Sequence, residues 1–195
     1  MSTAIIIGSH RKDSQSGKVG KFIKQRIENQ DKSAEIISLE ENPLPLYGDD
    51  SKAGKNIFEP FRKTLKEASS LVVITPEWNG MATPGIKYFF LHTSKEDVGH
   101  KPALLVGVSA GRGGAYPIAE MRSSSYKNPR VLYIPEHLIF RKVEEILNEK
   151  IPVNKNDEYM RKRTEFALSV LFEYEKATLQ MNRTKLFDKN FGNGM

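Results

Sequence analysis

The chain has 195 residues, 38% of them hydrophobic and 28% charged, with a net charge of +6, an isoelectric point near 9.4 and a mean hydropathy of −0.49. That is a single-domain size with enough apolar content for a core. It contains no cysteine, which excludes disulfides, thiolate nucleophiles and iron–sulfur ligation, so redox chemistry needs a bound cofactor.

No uninterrupted apolar run approaches the roughly 18 residues of a membrane span. Met1-Ser2-Thr3 leads directly into an apolar run, without the basic and apolar regions of a secretory signal, so the cytoplasm is the expected compartment. The positive charge favours anionic partners. The cations are nonetheless scattered, and the densest cluster, Arg161-Lys162-Arg163, reads as a solvated helix face; nucleic acid is not expected.

Periodicity and breakers predict a strand near 3–7, a helix near 16–29, a strand near 34–39 and a helix near 57–68. A strand near 70–75, a helix near 84–93, a strand near 102–108, a helix near 114–125 and a strand near 130–134 follow. Strands alternating with helices imply right-handed crossovers and a parallel sheet covered on both faces, hence a three-layer doubly wound α/β domain with five strands. Glu40 to Asp50, with Pro43 and Pro45, reads as a loop. The pattern is less regular after Pro135 until a closing helix near 157–180, whose stripe Met160, Thr164, Ala167, Leu168, Leu171, Tyr174 and Thr178 reads as core or subunit contact. The tail 182–195 is expected to fray. There is no internal repeat, and residues 1–195 read as one domain.

Three predicted strands end in loops rich in glycine and small polar residues. These are Gly8-Ser9-His10-Arg11-Lys12-Asp13-Ser14-Gln15-Ser16, then Pro76-Glu77-Trp78-Asn79-Gly80-Met81-Ala82-Thr83-Pro84-Gly85, then Ser109-Ala110-Gly111-Arg112-Gly113-Gly114. In an open α/β sheet ligands bind beyond the carboxyl ends of the strands, so the three loops converge on one site. In the first, the hydroxyls of Ser9, Ser14 and Ser16, the Arg11 guanidinium and a helix N-terminus suit a phosphate. The plainer reading makes Ser14 or Ser16 an N-cap and no more. The second carries the lone tryptophan, a flat surface for a planar ligand. P-loop and dinucleotide fingerprints fail on spacing: Val19 follows Gly17-Lys18, and Tyr116 stands where a third glycine after Gly111 and Gly113 belongs. His10, His92, His100 and His137 lack metal-ligand spacing, no Ser-His-Asp set can be argued, and no metal is expected.

Gly8-Ser9-x-Arg11-x-x-Ser14-x-Ser16, Pro76-Glu77-Trp78-Asn79-Gly80 with Thr83-Pro84-Gly85-x-Lys87, and Ser109-Ala110-Gly111-Arg112-Gly113-Gly114, in that order, resemble the NADPH-dependent FMN reductase family over roughly residues 3–135. The resemblance implies a flavodoxin-like fold with strand order 2-1-3-4-5. It implies that Ser9, Arg11, Ser14 and Ser16 hold the FMN phosphate and that Pro76, Glu77, Trp78, Asn79 and Gly80 line the ribityl chain and ring. Ser109, Gly111, Arg112, Gly113 and Gly114 would approach the other ring edge. Hydride would pass through the flavin N5, with no side chain as obligatory acid or base, from NADPH to a small-molecule acceptor: a quinone, azo compound, metal oxyanion or free flavin. A homodimer or homotetramer is implied as well. Two departures stand out. Trp78 replaces the usual tyrosine and loses its phenol, and Met81 and Tyr88 make the surroundings more apolar. An electron-transfer flavodoxin and a flavin-free binding protein of the same fold are the rival readings.

Overall fold

The computed structural model describes residues 1–48, 52–181 and 183–192. The strands are β1 (Ser2–Ile7), β2 (Ser33–Ser38), β3 (Ser70–Trp78), β4 (Met81–Ala82), β5 (Pro102–Val108) and β6 (Leu132–Phe140). The helices are α1 (Gln15–Glu28), α2 (Lys52–Glu67), α3 (Pro84–His92), α4 (Lys95–Val98), α5 (Ala115–Ser124) and α6 (Lys155–Leu179). The parallel strands lie in the order β2-β1-β3-β5-β6, which is the expected 2-1-3-4-5 once the short β4, antiparallel to β3, is set aside.

Alternation along β1 explains the two cores. Ile5 and Ile7 point to a cluster with Val19, Ile23 and Ile27 of α1 and Leu168 and Leu171 of α6. Ala4 and Ile6 point to the opposite cluster, with Phe61 and Leu65 of α2, Phe89 of α3 and Met121 of α5. The stripe predicted for the closing helix is buried apart from the half-buried Tyr174, and Phe172, Glu175 and Asp157 are buried with it. In the run from Tyr88 to Leu91, Phe89 and Phe90 are core while Leu91 is 49% exposed.

Three boundaries differ from expectation, the first being that of β3, which runs on to Trp78 instead of ending at 75. α2 begins at Lys52, five residues before the predicted start, and carries Pro60 inside it, at the cost of one ladder donor. β6 runs on through Pro135 to Phe140 instead of ending at 134. Proline is tolerated there because β6 is an edge strand and its register slips between Ala103↔Tyr133 and Leu105↔His137. Of the loop expected over 40–50, Asp49 and Asp50 lie outside the described residues, as do Asn182 and the last three residues of the tail. Where fraying was expected, Arg130 donates to Leu186 O at 2.7 Å and Phe191 O at 2.5 Å, and Phe187 packs 5.5 Å from His100.

Candidate active site

The first loop leaves β1 at Gly8, whose amide donates to Ile74 O at 2.8 Å and whose carbonyl accepts from the buried Thr83 hydroxyl at 2.6 Å. The β1 exit is thereby fixed to the end of β3 and the start of α3. Ser14 is the N-cap of α1, its Oγ accepting from the Gly17 amide at 3.0 Å. Ser9 and Ser16 are each 1% exposed. Ser9 Oγ accepts from the Arg11 amide at 3.3 Å, whereas Ser16 Oγ and the neighbouring Gln15 Oε1 are buried without a hydrogen-bond partner among the described residues. Orphaned buried polar atoms are costly, and the Ser16 hydroxyl, a donor at a helix N-terminus, suits a hydrogen-bonding anion.

The second loop is a hairpin. Glu77 pairs with Ala82 and Trp78 with Met81, leaving Asn79 and Gly80 as the turn, both with positive φ, at 48° and 74°. Asn-Gly is the preferred pair for a two-residue turn matching the twist of its strands. Pro76 is buried, Glu77 and Trp78 are half-buried, and Asn79 and Gly80 are exposed. The Trp78 ring meets the first loop directly: the Arg11 guanidinium lies 4.7 Å over it and His10 packs edge-on at 4.8 Å. An arginine over an indole face is a favourable cation–π contact.

Glu77 turns toward the third loop, its Oε2 accepting from the Gly114 amide at 2.5 Å. The side chain expected to line a ligand therefore joins the second loop to the third. Gly114 is the N-cap of α5 with φ 98°, and a Cβ there would lie 2.5 Å from Ile139 Cγ2. No other residue type suits that position. Ser109 is half-buried, its Oγ accepting from the Gly111 amide at 3.2 Å; Gly111 and Arg112 are exposed and Gly113 is half-buried.

Sequence reading missed the residues that brace these loops. Arg141, after β6, donates through Nε to Arg112 O at 2.8 Å and Gly113 O at 2.9 Å. Glu120 of α5 accepts from the Ala82 amide at 2.7 Å through one oxygen and pairs with Lys87 at 2.7 Å through the other. Burial opposes ionisation of Glu120, but Lys87 and the Ala82 amide outweigh it and hold the carboxyl below its ordinary range. Lys18 of α1 donates to Val143 O, Ile146 O and Asn148 Oδ1, each at 2.8 Å, and its burial lowers its pKa. A groove of about 1110 Å³ runs along α1 and shares Asp13 and Ser14 with the first loop, but it includes none of the hairpin. The hairpin, with the single indole and the two flanking loops, is the better centre, because its polar groups converge. Among the described residues no cluster of histidine and carboxylate suits a metal ion.

A doubly wound parallel sheet with a phosphate-suited helix N-terminus and an aromatic hairpin at its carboxyl edge defines a flavodoxin-like protein. A family model for NADPH-dependent FMN reductases matches residues 1–145, and the chain belongs to that family. Its cofactor is FMN and its electron donor NAD(P)H, so the protein is an NAD(P)H-dependent FMN oxidoreductase. It is 28% identical over 126 residues to an NADPH azoreductase of Bacillus sp. (strain OY1-2), covering 64% of this chain and 68% of that protein. It is 28% identical over 122 residues to a quinone reductase of Pseudomonas putida, covering 59% of this chain and 63% of that protein. Among solved structures, the flavoenzyme NAD(P)H:(acceptor) oxidoreductase FerB from Paracoccus denitrificans superposes with a TM-score of 0.68 at 22% identity, over 90% of this chain and 97% of that one. That likeness speaks to the fold. The orphaned Ser16 hydroxyl, the buried Ser9 and the planar Trp78 suit the phosphate and ring of FMN.

Proposed function

We propose that FMN lies across the carboxyl edge of the sheet, held by the three loops, and that the enzyme uses NAD(P)H to reduce a small planar acceptor of the quinone or azo class. Ser9, Arg11, Ser14 and Ser16 bind the phosphate; Pro76, Glu77, Trp78, Asn79 and Gly80 line the ribityl chain and ring. Ser109, Gly111, Arg112, Gly113 and Gly114 border the far ring edge. FMN, when bound, supplies two-electron hydride acceptance and onward transfer to the acceptor. The chain's own part is to orient and to exclude water. Arg11, stacked on Trp78, sits between the phosphate loop and the aromatic hairpin and can serve both. Glu77, through the Gly114 amide, fixes the separation of the loops on either side of the ring. No side chain is needed as an obligatory acid or base.

The observation that carries this reading is the convergence of all three loops on the Glu77-Trp78 pair. The acceptor class follows from the azoreductase and quinone reductase relatives, and from the apolar Met81 and Tyr88 beside the hairpin. The working unit is a homodimer or homotetramer, since Met81 of β4, Leu91 of α3 and Tyr116 of α5 are 55%, 49% and 70% exposed on elements that follow the second and third loops.

The test is an anaerobic visible spectrum of protein loaded with FMN and desalted, before and after NADPH. Retained flavin bands that bleach on adding NADPH, and recover on adding a quinone or azo dye, are the expected result. Flavin that NADPH cannot bleach would make the protein a carrier, and failure to retain flavin would make it a binding protein of the same fold.

A further inference from the structure

Beyond the loops, a second cavity of about 230 Å³ opens along the edge strand β6 against the first turns of α6. Its walls include Arg141, His137, Asn156, Tyr159, Met160 and Arg163, and among the described residues no carboxylate lines it. It is below the usual 300–1,000 Å³ of a small-molecule pocket, so it suits one end of a ligand and not the whole of one. Arg141 commits only its Nε, to Arg112 O and Gly113 O; among the described residues its two terminal nitrogens have no acceptor. Asn156 Nδ2 braces the same residue from α6, reaching Arg141 O at 3.5 Å. Arg163 pairs through one terminal nitrogen with Glu136, which stands just outside the cavity, at 2.5 Å.

Arg141 and Arg163 line the same cavity, and guanidinium groups so placed suit a dianionic phosphomonoester, which arginine binds through paired N–H groups. Tyr159, 61% exposed at the rim, presents an aromatic face of the kind on which a base stacks. A chain of contacts links this cavity to the three loops. Arg141 touches Gly113, the adjoining Gly114 amide touches Glu77, and Glu77 precedes Trp78. A dinucleotide with its nicotinamide end over the hairpin can therefore run along the third loop to β6.

We propose that this cavity binds the 2′-phosphate on the adenosine half of NADPH and gives the enzyme its preference for NADPH over NADH. The inference rests on the proposed flavin site only for the direction from which the dinucleotide arrives.

Calorimetric titration of the FMN-loaded protein with 2′,5′-ADP, 5′-AMP and inorganic phosphate tests it. 2′,5′-ADP is expected to bind at least about tenfold more tightly than either of the others. Arg163→Gln weakens that binding about tenfold and lowers the NADPH-to-NADH ratio of kcat/KM by a similar factor. Glu136→Gln, which removes the competing carboxylate, tightens it; a merely structural disturbance would move both variants the same way. Equal affinity for 2′,5′-ADP and 5′-AMP, or variants that leave both the binding and the ratio unchanged, overturns the proposal. Inorganic phosphate binding as tightly as 2′,5′-ADP also overturns it, making the cavity a free-anion site. The same titration on flavin-free protein separates this outcome from failure of the flavin reading, which would appear as loss of FMN on desalting while 2′,5′-ADP still binds.

Discussion

Ser14 and Ser16 stand two residues apart, yet the structure gives them opposite energetics. Ser14 caps α1, so Ser14→Ala should cost about 1 kcal/mol of stability in the flavin-free protein. Ser16 Oγ is buried and unpartnered, so Ser16→Ala should leave the flavin-free melting temperature unchanged or raised. The same variant should weaken FMN binding by roughly two- to tenfold, the value of one hydrogen bond of about 0.5–1.5 kcal/mol. Thermal melts and flavin titrations of both variants check this, and equal loss of stability in the two would contradict it. Gly114 presents a different residue-scale constraint. At φ 98°, with Ile139 Cγ2 only 2.5 Å from any Cβ, Gly114→Ala should lose about 1–3 kcal/mol and several degrees of melting temperature. A melt within a degree of the parent would show that the third loop can relax.

At the scale of elements, the β3–β4 hairpin depends on α5. Glu120 holds the Ala82 amide and Lys87 together, so it fixes the strand opposite Trp78. Its pKa is lowered from 4.5 in the folded state. The stability it contributes is therefore complete above 4.5 and is lost as pH falls through the lowered value. With both partners about one-third exposed, the magnitude is at most about 1 kcal/mol. Glu120→Gln should flatten the acid side of the stability–pH curve below 4.5 and shift the Trp78 emission there; an unchanged acid limb would remove this role. None of this bracing was legible in the sequence, because Ala82, Lys87 and Glu120 are brought together only by the fold. The hairpin itself was legible in part: Asn79-Gly80 is a turn signal, but a two-residue strand leaves no periodicity to read. Pro135 hid the second half of β6 in the same way, since only the tertiary position of that strand as an edge makes proline acceptable.

For the whole molecule, the parallel sheet covered on both faces followed from strands that are uniformly apolar, such as Leu71 to Ile74 and Leu104 to Val106, whereas the strand order came only with the family resemblance. The sequence also placed the three loops, since each begins where such a run ends. It gave no means to see that Glu77 spans two loops or that Arg141 reaches back from β6 to hold a third. Exposed Met81, Leu91 and Tyr116 predict association, and sedimentation equilibrium should return two or four copies per particle. Tyr116→Glu should shift that equilibrium toward the single chain, and a parent protein that is already monomeric at micromolar concentration would contradict the account of this surface.

The chain has one tryptophan, Trp78, and it stands where the flavin ring is assigned. A titration of flavin-free protein with FMN, followed by tryptophan emission, therefore reads that place and no other. The account predicts saturable quenching of most of the emission at one FMN per chain, with a dissociation constant in the micromolar range or below. FMN that stays with the protein through desalting while leaving Trp78 emission unchanged would place the flavin elsewhere and contradict the site described for these three loops.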